Sequence, residues 1–459
     1  MSAEELDPKT ERLLKPLLST GWRFYTILAA LGAVFVIANI AWFTQLRDGL
    51  AVTGLSDRVS WGLYISVFIY FIGISYGGTC VSAILRLTNT EWRRPITRVA
   101  EASTVAALLV AAIMPLFDLG HPEKFLYIAR YGRLESPLVW DFISIGTYLM
   151  SSLLFFYIAL IPDFALLDRV LPKRVRVRRA LYRVLKMRWT GNPVQVKRIE
   201  RALLVISIII IPIAVSAHTV LSWMFGMTTR TGWHSTIFGP YFVAGALFSG
   251  IAVVVIAMAA VRKAQHLEDV ITDDHFRKMA NILLVFGLLY LYMTLSEYLT
   301  MAFQPTPEEQ ILFGLLTSMP VAPFFWFSTV GLVGVVAMLA IPQTRTVVGI
   351  TTAAILVNIA LWIKRLIIVV QSLEVPLVGG DPIGVYSPTW VEWAITAGSF
   401  AAFILVFVVL SKIVPMVSVS ETREGEEEHG GRPPAPSEGK HAPPTKASVV
   451  GLVATEAER

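Results

Sequence analysis

Five positions interrupt or closely flank apolar stretches of this chain with side chains suited to proton chemistry: Asp118, Asp141, His218, Glu297 and the Lys364-Arg365 pair. Threaded through a bilayer, all of them fall near one face. A charge in hydrocarbon costs about 2.5–3.5 kcal/mol or more, so such groups line cavities or pair with one another. The pattern points to a protein that handles protons or a polar headgroup just inside one membrane surface.

The densest run is PLFDLGHPEKFLYIARYGRLESPLVWD, residues 115–141. Pro115 and Gly120-His121-Pro122 break a helix at the membrane surface, where freed backbone groups need new partners. Asp118 sits at that break, as a surface residue or as part of a site. Asp141 opens the next apolar helix, where a carboxylate is favoured by the helix dipole as a cap and is also placed for chemistry. His218 lies in IPIAVSAHTVLSWMFG, about two turns from a helix end. A lone histidine on such a helix is either a hydrogen-bonded core residue or an imidazole that passes protons near neutral pH. Oxidation of a hydroquinone releases two protons and two electrons, and a carboxylate–imidazole pair suits that substrate.

The remaining charges have structural readings of their own. Glu101 is spaced to pair with Arg98 three residues earlier, or to open a proton route from the opposite face. Lys364 and Arg365 point about 100° apart, so only one is expected to face a shared cavity; either could neutralise Glu297 or Asp118. Of seven histidines only His218 lies well inside an apolar span. The helix-borne pair that holds a b-type haem is missing, and a haem-bearing subunit is not expected. Cys80, the single cysteine, excludes an internal disulfide, and no zinc site or iron–sulfur cluster is expected in this chain. Its expected role is a small core residue.

These residues must be positioned by membrane helices. The chain is 55% hydrophobic, with 12 Trp and 25 Phe. Ten stretches can span a bilayer as helices: 22–43, 61–85, 96–117, 138–161, 201–225, 238–261, 279–303, 320–341, 347–371 and 391–415. The expected fold is an all-α integral membrane protein. The alternation of an outer-membrane barrel is absent, and residues 1–21 do not resemble a cleavable signal peptide. Lys and Arg crowd the even-numbered connections, twelve of them between Arg169 and Arg201, while 304–319 and 372–389 hold none. By the positive-inside rule both termini are cytoplasmic. The net charge of +6 then needs no nucleic acid, although the 169–201 loop could grip anionic membrane lipids. A short N-terminal segment, 1–21, and a disordered tail over 417–459, acidic and then Pro-rich, flank the ten-helix domain of 22–416. Trp61-Gly62-Leu63-Tyr64 and Phe238-Gly239-Pro240-Tyr241 open helices four apart. This weak echo predicts two four-helix bundles, about 61–225 and 238–371, with the first and tenth helices flanking them.

WGLYISVFIYFIGISYGGT, RVAEAST and SPLVWDFISIGTYLMSSLLFFYIALIPD resemble the polysulfide-reductase membrane-subunit, or NrfD-like, family. HTVLSWMFGMTTRTGWHSTIFGPYFVAGALFSG is similar to the ten-helix quinol-binding subunit of alternative complex III and its relatives. The resemblance covers about residues 55–370. It implies a subunit without redox metals in the cytoplasmic (inner) membrane of a prokaryote, binding menaquinone or ubiquinone near the outer face. Electrons would pass to an iron–sulfur partner on that face, alongside molybdopterin-type or cytochrome c subunits. Carried over by position, Asp141 matches the Asp of SPL-x-WD, His218 the fifth-helix His, and Asp118 a position where close relatives often have His. Met224 stands where some relatives place a second Asp. Asp141, His218 and Asp118 are therefore the expected catalytic groups, with His121, Arg133, Trp140 and His234 around the quinone and Glu101, Glu297, Lys364 and Arg365 along a proton path. The rival readings are an ion-coupled secondary transporter, which would break helices in both halves near the midplane, and a structural anchor with a degenerate pocket.

Overall fold

The computed structural model describes residues 8–18, 20–171, 176–303 and 306–419, in which every long element is helical and no strand occurs. An apolar segment in lipid must satisfy its own backbone, and a helix does so locally. The ten helices long and apolar enough to cross a membrane are α1 (Trp22–Asp48), α2 (Leu63–Leu87), α3 (Arg94–Asp118), α4 (Pro137–Val170), α5 (Pro193–Gly226), α6 (Phe238–Gln265), α7 (Asp273–Phe303), α8 (Ala322–Ala340), α9 (Val347–Glu374) and α10 (Trp390–Ile413). Their starts are written locally. Asn192 caps α5 by accepting from Val194 N at 3.0 Å, with Pro193 filling the first position where no N–H is needed. Thr389 and Glu392 form a reciprocal capping box on α10.

Helices α2–α5 pack as one four-helix bundle and α6–α9 as a second. The bundles meet chiefly along α2 and α6, where a Cβ on Gly77 would lie 2.4 Å from Gly250 Cα. Only glycine at that crossing lets the two backbones approach so closely. Helices α1 and α10 pair with each other and lean on the first bundle through α2 and α3. Two helices are longer than their apolar runs predict: α4 continues to Val170 and α5 starts at Pro193. Both extensions emerge on the face that carries the basic connections.

Both described ends of the chain lie on that basic face. An amphipathic helix, Pro8–Leu18, buries Leu13, Leu14 and Leu17, and Lys412 at the end of α10 donates to Pro16 O at 2.6 Å. A second short helix, Arg176–Leu185, is pinned by Tyr182, whose ring stacks on Phe164 at 5.7 Å and whose hydroxyl donates to Ile413 O at 2.6 Å. Val417, Ser418 and Val419 are buried, so this part of the expected tail packs against the helices. Residues 420–459 lie outside the described residues. On the opposite face the connections knit together. Tyr386 OH accepts from Leu63 N at 2.9 Å, Arg58 donates to Pro382 O at 2.6 Å, and Trp233 donates to Ile368 O at 2.7 Å.

Candidate proton-handling site

Asp118 ends α3. The last turn carries Pro115, and Gln45 of α1 donates to Phe117 O at 2.6 Å while accepting from Tyr64 OH at 2.7 Å. Those contacts hold the helix end but leave Asp118 Oδ1 buried with no hydrogen-bond partner among the described residues. Asp141 is the fifth residue of α4 and is 7% exposed. Its Oδ1 is also buried without a partner there. A capping role would have given that carboxylate a backbone N–H, and none is present at the start of α4.

His218 lies on α5, the neighbour of α4, and is 1% exposed. Its ring stacks on Tyr76 of α2 at 4.9 Å, and neither ring nitrogen has a partner among the described residues. Stacking fixes the ring plane. Buried polar atoms are nearly always satisfied by protein or water, so an orphan needs a reason. Here the three catalytic candidates of the sequence each hold one.

No hydrogen bond joins Asp141 to His218. Counted from the ends of their own helices, the charged positions are staggered. At 1.5 Å per residue, Asp118 is at its helix end, Asp141 is about 6 Å in, His218 about 12 Å and Lys364 about 15 Å. His218 also borders a cavity of about 20 Å³, room for about one water molecule, whose other walls include Tyr241, Tyr290, Lys364 and Arg365. Both cations of the Lys364-Arg365 pair reach this cavity. The expectation that only one would do so fails because the cavity sits where the two bundles meet, within reach of two long side chains.

Those cations have partners. Lys364 Nζ lies 3.2 Å from Glu297 Oε2, bonds the Tyr298 hydroxyl, and sits 4.3 Å from the centroid of that ring. Arg365 donates to Ser249 Oγ at 3.0 Å and lies over the Tyr70 ring at 5.4 Å. Its guanidinium occupies the space a side chain at Gly73 would need, 2.5 Å from where a Cβ would be. Lys364 therefore neutralises Glu297, and the Arg365 side chain fills the seam between the bundles.

Glu101 sits toward the basic face in a similar cluster. Arg98 Nη1 lies 3.6 Å from Glu101 and Arg98 Nη2 2.9 Å from Asp163, while Ser82 donates to Glu101 at 2.7 Å. The pairing of Arg98 with Glu101 is present, extended by Asp163 of α4. Three of the expected quinone-contacting residues are on the surface instead of in a buried site. His121 is exposed and bonded to Glu123 at 2.9 Å, Arg133 is exposed, and exposed His234 bonds Arg230 O at 3.0 Å. Each lies in a surface connection between helices. Trp140, half-buried, donates to Leu134 O and so braces the turn that delivers Asp141.

Several residues at the site escape sequence reasoning. Tyr76, which carries the His218 ring, and Tyr290, which stacks on Tyr241 at 4.9 Å, are aromatic residues in aromatic-rich helices and give no separate signal. Gln45 does carry a signal, as one of two amides, with Asn39, on the largely apolar first helix. No group of three or more His, Cys, Asp or Glu able to hold a metal occurs among the described residues.

The polysulphide reductase NrfD family model matches residues 51–376. The chain belongs to that family. Three curated relatives share its length. A Halobacterium salinarum chain named as a membrane subunit of a dimethyl sulfoxide reductase is 26% identical over 87% of this chain and 92% of its own. A chain of Mesobacillus selenatarsenatis named as a subunit of selenate reductase is 23% identical over 89% and 96%. The Hdr-like menaquinol oxidoreductase integral membrane subunit of Archaeoglobus fulgidus is 24% identical over 88% and 96%. With ten such apolar helices among the described residues, this NrfD-family chain is a multi-pass membrane protein.

Proposed function

We propose that this NrfD-family chain is the quinol-interacting membrane subunit of a respiratory oxidoreductase, with Asp141 and His218 as the groups that take the protons. The observation that carries the reading is the set of orphaned atoms: Asp141 Oδ1 and both His218 nitrogens, buried on adjacent helices. A hydroquinone offers two O–H donors to such acceptors. As it is oxidised it loses two electrons and two protons; the electrons leave to an iron–sulfur partner subunit, and the carboxylate and the imidazole each accept one proton. Asp118, at the end of α3, would serve the same face. Menaquinol is the favoured substrate, since one relative is named as a menaquinol oxidoreductase subunit. The two reductase relatives favour partners that carry the terminal reduction. The Lys/Arg asymmetry supports an orientation with both termini in the cytoplasm of a prokaryotic cell.

The test is quinol turnover by the assembled complex. Asp141→Asn keeps the shape and removes the base; His218→Phe keeps the ring and removes the titrating nitrogens. General-base contributions are about 10²–10⁴-fold, and either variant is expected to fall by that order with assembly and partner cluster signals intact. If the two groups act as a unit, the double variant loses less than the product of the singles. Near-normal turnover in both singles would remove the basis for the assignment. The orientation has its own check: a cysteine replacing Ile128 reacts with an impermeant reagent from outside, and one replacing Ala180 only from inside.

A further inference from the structure

On the basic face, opposite the orphaned carboxylates, a cavity of about 840 Å³ opens between the α2–α3 turn, the end of α4 and the start of α5. Cavities of about 300–1,000 Å³ are the size that holds small ligands. Six cations border it: Arg86, Arg93 and Arg94 from the turn, Arg169 from α4, and Lys197 and Arg201 from α5. Two carboxylates share the wall, and one of them, Asp163, is already committed to Arg98 at 2.9 Å. Arg169, Lys197 and Arg201 make no ion pair or hydrogen bond among the described residues. Lys197 and Arg201 stand four residues apart on one helix, a spacing at which like charges repel. An anion seated among them would offset that cost.

The rest of the lining says what kind of anion. Leu166, Leu203 and Leu204 form an apolar wall between α4 and α5, and Leu204 is 46% exposed on the flank of a membrane helix. The cavity is thus cationic at its rim and continuous with a surface made for hydrocarbon. A soluble phosphate would use the cations and leave the wall idle; a phospholipid uses both. Basic pockets between membrane helices at this level bind anionic headgroups, each nearby Lys or Arg adding to the attraction.

We infer that this cavity is a binding site for an anionic glycerophospholipid, its phosphate held by Arg169, Lys197 and Arg201 and an acyl chain laid along Leu203 and Leu204. The site is independent of the redox role and lies on the other face from Asp141 and His218.

The experiment uses the full chain, purified with the subunits that accompany it, in micelles doped equally with phosphatidylglycerol and phosphatidylcholine. Lipid retained after gel filtration is quantified for the native protein and for Arg169→Gln/Lys197→Gln/Arg201→Gln. The native protein is expected to retain phosphatidylglycerol over phosphatidylcholine by about tenfold or more, and the triple variant to fall to the phosphatidylcholine level. Equal retention of both lipids, or unchanged phosphatidylglycerol in the variant, overturns the proposal. Thermal stabilisation by inorganic phosphate that equals that by phosphatidylglycerol, with no lipid retained, would assign the cations to a soluble anion and overturn it as well. Should the triple variant fail to assemble, photoactivatable phosphatidylglycerol on the native protein decides. Cross-links are expected on peptides 159–170 and 193–204, and their absence sinks the idea.

Discussion

The first bundle and the second both bury ionisable residues toward the same face, and they treat them oppositely. In the second, Lys364, Glu297, Tyr298 and Arg365 satisfy one another or the neighbouring helix. In the first, Asp118, Asp141 and His218 keep buried atoms with no partner among the described residues. A buried charge is tolerated when paired and costly when alone. The second cluster therefore supplies its own compensation, whereas the first finds none among the described residues. Residue type and depth, all that a sequence offers, do not separate these cases; partners do.

Breaking the satisfied cluster should cost the most in stability. Lys364→Met leaves Glu297 uncompensated, a loss of about 3–5 kcal/mol for a buried pair stripped of one member. It should appear as a lower melting temperature and poor recovery of the complex. Adding Glu297→Gln should restore much of that loss, because both charges are then gone. A double variant as unstable as Lys364→Met would mean that Lys364 acts through something other than the pair.

The seam between the bundles offers the next effect. Gly77→Ala places a methyl group 2.4 Å from Gly250 Cα, so α2 and α6 must separate. Overpacking of this kind costs about 1–3 kcal/mol, read as a shift in thermal midpoint. Because His218 and Arg365 face the same seam, turnover is expected to fall with it. An unchanged midpoint would show that the crossing adapts freely.

The smallest effect concerns the brace beside Asp118. Tyr64→Phe removes the donor to Gln45 Oε1 and should cost about 1 kcal/mol, a typical net hydrogen bond. A loss of turnover much larger than that stability change would promote Asp118 from the margin of the site to its centre.

Much of this is legible in the sequence, for identifiable reasons. Ten apolar runs fix ten helices because lipid leaves the backbone no other solution, and the paired openings at Tyr64 and Tyr241 mark the two bundles. Asp141 and His218 stand out because a charge on an apolar helix is costly enough to be conspicuous. What escapes depends on lateral neighbours. Sequence does not show that Arg365 nests against Gly73, that Tyr76 carries the His218 ring, or that α1 and α10 pair beside the first bundle. Arg133, His121 and His234 look like site residues because they lie close to the motifs in sequence, yet the connections turn them to the surface.

In the proposed mechanism the orphaned groups meet the quinol while the satisfied ones hold the fold. Asp141→Asn and Glu297→Gln test it side by side, each removing one buried carboxylate charge from the same assembled complex. Steady-state quinol oxidation should fall by about 10²–10⁴-fold in Asp141→Asn, with its melting temperature little changed. Glu297→Gln should lower the melting temperature and leave turnover within about threefold of native, an effect far below that of a lost general base. The reverse pattern, or equal losses of turnover in both, would contradict the account.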